Sequence, residues 1–411
     1  MSNDDNRTTE APTRRDYVKY GGAAIGGGLL AGCSGDSSNA TPTRASTGTA
    51  TDSPTATETE TSASEDGSYS VTMSPVGTVE FEKPPKNVLT IFPHHADMVT
   101  AAGHGEAVSS MLYQPEYNDS MWRKFVERLP NVSIDWADLP GQWNPSKELL
   151  YELDSDLHLD DPATMVTMKG WDPDDIEEIS ENVAPWFGNA LSYSRSDPPS
   201  AWADGYQYYT LWEIFERVAR VFQAETRYEA LKSVHTEMVS SIEANLPPED
   251  ERPTVAMIIL NQSEDSVYIN PLNDPGFMAA HTRPLGATDA FADVQSASVD
   301  YEGLVEADPD IILCLAGMSE YRHVTKTRER FRNDPSVQTV TAVENDRIYT
   351  QGGRYQGPLM NLFQTEMAAK QLYPEQFGAW PIYTEGPYPE IPEDEQLFDR
   401  QRVADIIDGD L

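Results

Sequence analysis

A twelve-residue pattern occurs twice in this chain. Glu148-Leu149-Leu150-Tyr151-Glu152-Leu153-Asp154-Ser155-Asp156-Leu157-His158-Leu159 and Glu302-Gly303-Leu304-Val305-Glu306-Ala307-Asp308-Pro309-Asp310-Ile311-Ile312-Leu313 align without a gap, 154 residues apart. Each copy opens on a glutamate, carries apolar residues at helical spacing, passes an acidic turn and closes in an apolar run, which reads as a helix feeding a buried strand. Between the copies, Tyr206 to Leu246 contains neither Gly nor Pro, and Leu211, Phe215, Val218, Phe222, Leu231, Met238 and Ile242 recur at helical steps. Two similar α/β lobes joined by a long α-helical spine, broken near Gln223 to Glu225, is the architecture this pattern predicts.

The chain has 411 residues, enough for two cores plus appendages. Its 29 Lys and Arg, nine of them Lys, face 68 Asp and Glu spread along the sequence. An acidic coat of this kind excludes nucleic acid as a partner and suits a saline environment, where like-charge repulsion is screened. At the N-terminus, Arg14-Arg15-Asp16-Tyr17-Val18-Lys19 precedes a short Gly-rich run, Gly21 to Ala31, too short to span a bilayer. The twin arginines resemble a Tat export signal, and Leu30-Ala31-Gly32-Cys33 resembles a lipobox whose cysteine is lipidated. Residues 1–33 are thus expected to be a Tat lipoprotein signal that leaves the protein on the outer side of the plasma membrane, lipid-anchored at the cell surface. Residues 34–68 are Ser/Thr-rich and lack large apolar side chains, so they read as a disordered tether. The remaining cysteine, Cys314, lies in an apolar run and is expected to behave as a small buried hydrophobe.

The first lobe, 69–205, opens with a hairpin pattern over Tyr69 to Met73 and Gly77 to Phe81, then a strand at Asn87 to Ile91. A helix from Ala96 to Ala102 ended by Gly103, and a strand at Ala107 to Leu112, give the β-α-β alternation of a parallel sheet. Trp171 to Ile176 starts a further helix, its aspartates suited to the N-terminal turn. The spine occupies 206–246 and the second lobe 247–378. The latter shows a buried strand at Pro253 to Leu260, a helix from Phe277 to Leu285, the second copy of the pattern, a strand at Arg347 to Tyr349 and an amphipathic helix from Pro358 to Tyr373. An acidic, Pro-containing tail, 379–411, shows no firm element.

Taken together, Pro84-Pro85-x-Asn87-Val88-Leu89, the two copies, the spine, Asn345-Asp346-Arg347-Ile348-Tyr349 and Leu372-Tyr373-Pro374-Glu375-Gln376-Phe377 resemble the helical-backbone solute-binding proteins of ABC importers that receive ferric siderophores, haem and cobalamin, here of haloarchaeal type. The resemblance covers roughly Val71 to Gly378. It implies two Rossmann-like lobes with parallel sheets, a rigid helix between them, a ligand in the cleft, a monomer without a cofactor of its own, and no enzymatic activity. The family's permease-docking glutamates match Glu148 and Glu302, each able to accept a charge-assisted bond from a permease arginine. The permease and its ATPase are then the partners.

Ligands of a doubly wound lobe lie beyond the carboxyl ends of its strands. The residues so placed are His94 and His95, Trp143, Tyr193 and Arg195 in the first lobe, and Gln262, Arg283, Arg322, Arg354 and Tyr355 in the second. Arginines and aromatics in so acidic a chain point to an anionic, ring-bearing ligand such as a ferric siderophore or a corrinoid. His94 and His95, read as neighbours on a loop, are the candidates for direct metal ligation, and an alternative function is a receptor for a bare divalent ion such as zinc or manganese. An exported hydrolase is the remaining alternative, although Gly-x-Ser-x-Gly, His-Glu-x-x-His and Walker A patterns are absent from the sequence.

Overall fold

A computed structural model describes residues 62–63, 67–112, 115–133, 136 and 139–410. The expected export signal with Arg14 and Arg15, the expected lipidation site Cys33 and nearly all of the expected tether lie outside the described residues. Among the described residues no helix is long and apolar enough to cross a membrane.

The hairpin is present: β1 (Ser62–Ala63), β2 (Tyr69–Met73) and β3 (Gly77–Phe81) form an antiparallel sheet with Val71 opposite Val79. In the first lobe, β4 (Val88–Thr90), α1 (Pro93–Ala101), β5 (Val108–Met111) and α2 (Pro115–Val126) precede the first copy of the pattern. That copy folds as α3 (Lys147–Leu153) and β6 (Leu157–Leu159), giving a parallel sheet of order β5-β4-β6. The lobe ends with α4 (Pro162–Met165) and α5 (Pro173–Asn182), the latter closed by a reciprocal capping box between Asp172 and Asp175.

The spine breaks where the sequence indicates. Helix α6 (Leu211–Val221) and helix α7 (Glu225–Asn245) are separated at Gln223, whose φ of 52° is left-handed. Every apolar position of the helical pattern is buried, from Leu211 to Ile242. Tyr69 reaches from the hairpin to the Val221 carbonyl at the end of α6 (2.5 Å), tying the hairpin to the spine.

In the second lobe, β7 (Thr254–Leu260), β8 (Ser266–Ile269), β9 (Thr288–Asp289) and β10 (Ser298–Asp300) precede the second copy, α8 (Tyr301–Ala307) and β11 (Ile311–Cys314). Next come α9 (Val324–Asn333), α10 (Thr341–Glu344), β12 (Ile348–Thr350), α11 (Pro358–Leu372) and α12 (Pro374–Phe377). The sheet order is β10-β8-β7-β11-β12, with β9 also paired to β7. Strands β7, β11 and β12 are parallel as expected, but β8 runs antiparallel to both of its neighbours, β7 and β10, so one strand of this sheet is reversed.

The two copies share their joints as well as their elements. Ser146 and Asp300 each accept from the amide three residues on, capping α3 and α8. Asp154 and Asp308 end the helices in the left-handed region, at φ 44° and 37°. The Asp156 carboxylate accepts from the Asn87 amide (3.0 Å) and that of Asp310 from the Thr254 amide (2.8 Å), so each fixes the start of the neighbouring parallel strand.

Two expectations need correction. Phe277 to Leu285 is not one helix but two single 3-10 turns, Phe277–Ala279 and Arg283–Leu285. Pro284 has no amide to donate, and side chains take the carbonyls an α-helix would use: Gln356 Nε2 donates to the carbonyls of Phe277 (3.0 Å) and Met278 (3.1 Å). Nor is α11 amphipathic, since all fifteen of its residues are buried. Its outer face is covered by the tail, which forms α13 (Arg400–Asp408) and buries Tyr388 and Phe398. Arg400 meets the buried Glu366 of α11, which also accepts from Tyr388 Oη (2.7 Å) and the Leu397 amide (2.7 Å). The tail also bonds to the first lobe, Tyr388 N donating to the Lys124 carbonyl (2.7 Å), and to the spine through Arg402 and Glu237 (2.7 Å).

Helix α11 is capped from the opposite lobe. Asp97, on α1 and fully buried, accepts from the amides of Leu359 (2.9 Å) and Met360 (3.0 Å) and from Trp122 Nε1 (2.9 Å). Burial raises its carboxyl to about 6 against the three hydrogen bonds that lower it. Asp97→Ala strands two amides at a buried helix start, and is expected to lower the free energy of unfolding in urea by about 2–4 kcal/mol.

His281 gives a pH prediction. Its Nδ1 lies 2.8 Å from Gln356 Nε2, and burial, with the charge of Arg283 adding, holds its pKa at about 3. Between pH 6.5 and 3 the unfolded chain takes up a proton there and the folded chain does not, so this residue makes stability fall as pH drops below 6.5. His281→Asn keeps an acceptor without the titration, so the fall between pH 6.5 and 4.5 is expected to become shallower by about 1.4 kcal/mol per pH unit, read from urea midpoints.

Candidate functional site

The chain leaves β4 at Ile91 and Phe92, and Pro93 opens α1 at once, because its fixed φ suits the first helical position. His94 and His95 therefore sit in the first turn of a helix and not on a loop, and both are fully buried. From the second lobe, Phe277 and Tyr355 meet the rings that gather here. Ring centroids lie 4.6 Å apart for Phe92 and Tyr355, 5.1 Å for Tyr193 and Tyr355, 5.0 Å for His94 and Phe277, and 6.2 Å for Phe92 and Trp143. These are the spacings of attractive aromatic pairs. Tyr355 is 5% exposed, whereas Trp143 and Tyr193 are half-buried, so the seam meets solvent on their side.

Gly276 makes this approach possible. A Cβ there would lie 2.2 Å from the Tyr193 carbonyl oxygen, so only glycine lets the two loops pack backbone to backbone. Arg283 braces the same loop by donating to the carbonyls of Asp274 and Gly276. Burial lowers its pKa, and the positive charge of Arg195 lowers it further against Asp274, which places the exposed Arg195 on this flank of the seam. The Arg354 guanidinium lies 5.3 Å from the Tyr355 ring centroid. Three cations thus surround the rings, with Arg283 already engaged by backbone.

The two histidine rings are 4.0 Å apart, and their four nitrogens are buried with no hydrogen-bond partner. Burial lowers His94 well below the usual imidazole value, with His95 adding, and lowers His95 to about 3. His95 Nδ1 is 4.0 Å from Asp160 Oδ1, too far for a hydrogen bond. Among the described residues no group of three or more His, Cys, Asp or Glu is placed to hold a metal ion.

The seam thus brings together Trp143, Tyr193, Arg354 and Tyr355, with Arg195 and Arg283 beside it. Gln262 and Arg322 belong elsewhere. They line a hollow at the carboxyl ends of β7 and β11 whose lining includes none of the seam residues. Gln262 Nε2 donates to the Tyr321 carbonyl (2.8 Å), and the Arg322 guanidinium lies 5.4 Å from the exposed Tyr321 ring. Phe92 and Phe277 are the seam residues that sequence reasoning missed. Phe92 directly follows a strand end, which is the signal that could have found it.

Glu148 and Glu302 are exposed at equivalent second positions of α3 and α8. Hydrogen bonding from its own amide and from Ser146 lowers the Glu148 carboxyl, so it stays ionised. The neighbouring Lys147 pairs with Asp175 (2.5 Å) and Glu178 (2.8 Å), leaving Glu148 outside that cluster.

Residues 165–355 match the family model for periplasmic binding proteins. No curated protein sequence matches the chain. Among solved structures, a periplasmic binding protein from Veillonella parvula superimposes with a TM-score of 0.55 at 14% identity, covering 77% of this chain and 95% of that one. A petrobactin-binding protein from Bacillus subtilis gives 0.54 at 14% identity, covering 74% and 99%. An iron-uptake ABC transporter substrate-binding protein from Streptococcus pneumoniae gives 0.51 at 16% identity, covering 74% and 96%. Residues 165–355 thus carry the sequence pattern of periplasmic binding proteins, and the chain has the fold of such proteins.

Proposed function

We propose that this protein captures a ferric siderophore or a corrinoid in the interlobe cleft and delivers it to a permease from the outer face of the membrane, held there by a lipid on Cys33 after Tat export through Arg14 and Arg15. The observation that carries the reading is the seam itself. Rings from both lobes converge there with arginines beside them, which is chemistry suited to a bulky, anionic, ring-bearing chelate. Among the structural neighbours, a petrobactin-binding protein and an iron-uptake substrate-binding protein agree with it.

The lobes share one apolar core running from Tyr69 to Ile407, and the tail bonds to both lobes and the spine, so closure on the ligand is a small motion. Glu148 and Glu302, on equivalent exposed helix starts, serve as the two points that meet permease arginines.

Titration of the protein's tryptophan fluorescence at high salt with ferric siderophores and with cobalamin tests the capture step. Trp143 lies in the seam, so quenching is expected, and Tyr355→Ala with Arg354→Gln should weaken binding about tenfold or more, since a desolvated cation–π or charged contact is worth about 1–3 kcal/mol. Quenching by none of these ligands counts against the reading. For docking, Glu148→Arg with Glu302→Arg should abolish uptake into cells while the purified variant keeps its affinity; a variant that still transports sinks that assignment.

A second reading, a receptor for bare zinc or manganese, draws on the orphaned nitrogens of His94 and His95. Metal analysis of the wild type beside a His94→Ala, His95→Ala variant separates the two, because only the ion receptor loses stoichiometric metal.

A further inference from the structure

The hollow that holds Gln262 and Arg322 has its own logic. From β7 the chain moves through β8 to β10 on one side of the sheet, then returns to β11 on the other side of β7 and continues to β12. The winding therefore reverses between β7 and β11, and the crevice beyond the carboxyl ends of strands at such a reversal is where open α/β sheets bind ligands. Leu260, the last residue of β7, and Cys314, the last of β11, form the floor of a hollow of about 200 Å³ at this point.

Its walls are cationic. Arg322, His323, Lys326 and Arg330 line it together with Gln262 and Thr327, and no carboxylate does. In a chain with 29 basic against 68 acidic residues, three lysine or arginine side chains around one small hollow are a local reversal of charge. Arg330 is held by the carbonyls of Asn261 (3.0 Å) and Glu264 (2.9 Å) and by Asp265 (2.8 Å), which fixes one wall. Lys326 Nζ rests 3.2 Å from the Glu320 carbonyl, and Arg322 Nη1 is 3.5 Å from that of Leu260. Among the described residues neither Arg322 nor Lys326 forms an ion pair with a carboxylate. The ten-residue helix α9 starts at the same place, with His323 as its cap, so its positive end adds to the field. Burial first, then Lys124, Lys326 and Arg328, lower the pKa of His323 against the single opposing Glu385, as a positive surrounding requires.

We infer that this hollow in the second lobe is a binding site for a small oxyanion, separate from the interlobe seam, with Arg322 and Lys326 as its charged ligands. Its volume is below the roughly 300–1,000 Å³ of pockets that enclose drug-sized molecules, so a phosphate, sulfate or carboxylate group fits where a whole chelate does not. The inference stands whether or not the seam takes a chelate.

Equilibrium dialysis of the full chain against radiolabelled inorganic phosphate, with ionic strength fixed by sodium chloride, tests it. One saturable site is expected, with sulfate competing, and Arg322→Gln with Lys326→Gln should weaken it at least tenfold while thermal stability without phosphate is retained. A control variant, Lys86→Gln with Lys169→Gln, removes the same charge from exposed positions elsewhere and should bind as the wild type does. Displacement of phosphate by ferric citrate identifies the occupant as the anionic arm of a larger ligand; displacement only by free oxyanions identifies a free one. Absence of saturable phosphate and sulfate binding, or equal weakening in the control variant, overturns the proposal, and neither result bears on chelate capture at the seam.

Discussion

The structure hangs on a carboxylate that one lobe lends to the other. Asp97, at the centre of α1, satisfies the amides that open α11, and Gly357 leaves room for it: a Cβ at that glycine would lie 2.5 Å from the Asp97 side chain. A buried helix start needs an acceptor, and an anion there also complements the helix dipole. Because donor and acceptor stand on different lobes, separating the lobes exposes or orphans both. Trp122 Nε1 adds a third donor from α2, so the clamp holds three helices at one point.

The tail works in the same direction. Glu366 would be a buried unpaired charge on α11 without Arg400 and Tyr388, both contributed by residues beyond 379. Tyr388 also hydrogen-bonds through its carbonyl to Arg128 Nε (2.6 Å), and Tyr383 through its carbonyl to Arg328 (2.7 Å), so the tail touches both lobes. Two lobes fastened this way hold the seam of rings nearly fixed, as the proposed capture by small displacements requires. That suits a rigid, preorganised site, in which little ordering entropy is lost on binding.

Much of this architecture was legible in the residues. The repeat gave both helix–strand units, down to the aspartates at their joints, because local hydrogen bonds of Asp and Ser at caps and turns are encoded within a few positions. The spine and its break at Gln223 followed from uninterrupted apolar periodicity on either side. The helix placed over 277–285 was not legible, since the competing Gln356 lies about eighty residues away in sequence. The tail shared this fate: its Pro and acidic residues look like a linker until Glu366 and Arg402 find their partners.

For the site, the chain order of strands was enough to nominate Trp143, Tyr193, Arg354 and Tyr355, because strand ends are where a doubly wound sheet must present its ligands. Which nominees converge was decided by the tertiary structure. The winding of the second sheet sends Gln262 and Arg322 to the β7–β11 reversal, while Gly276 lets Phe277 reach His94 across the seam. The sequence by itself determined the two helix–strand units and the broken spine, which rest on interactions between residues near each other in the chain. Only the fold decided which side chains share a site, because that depends on contacts across the lobes, which no local pattern carries.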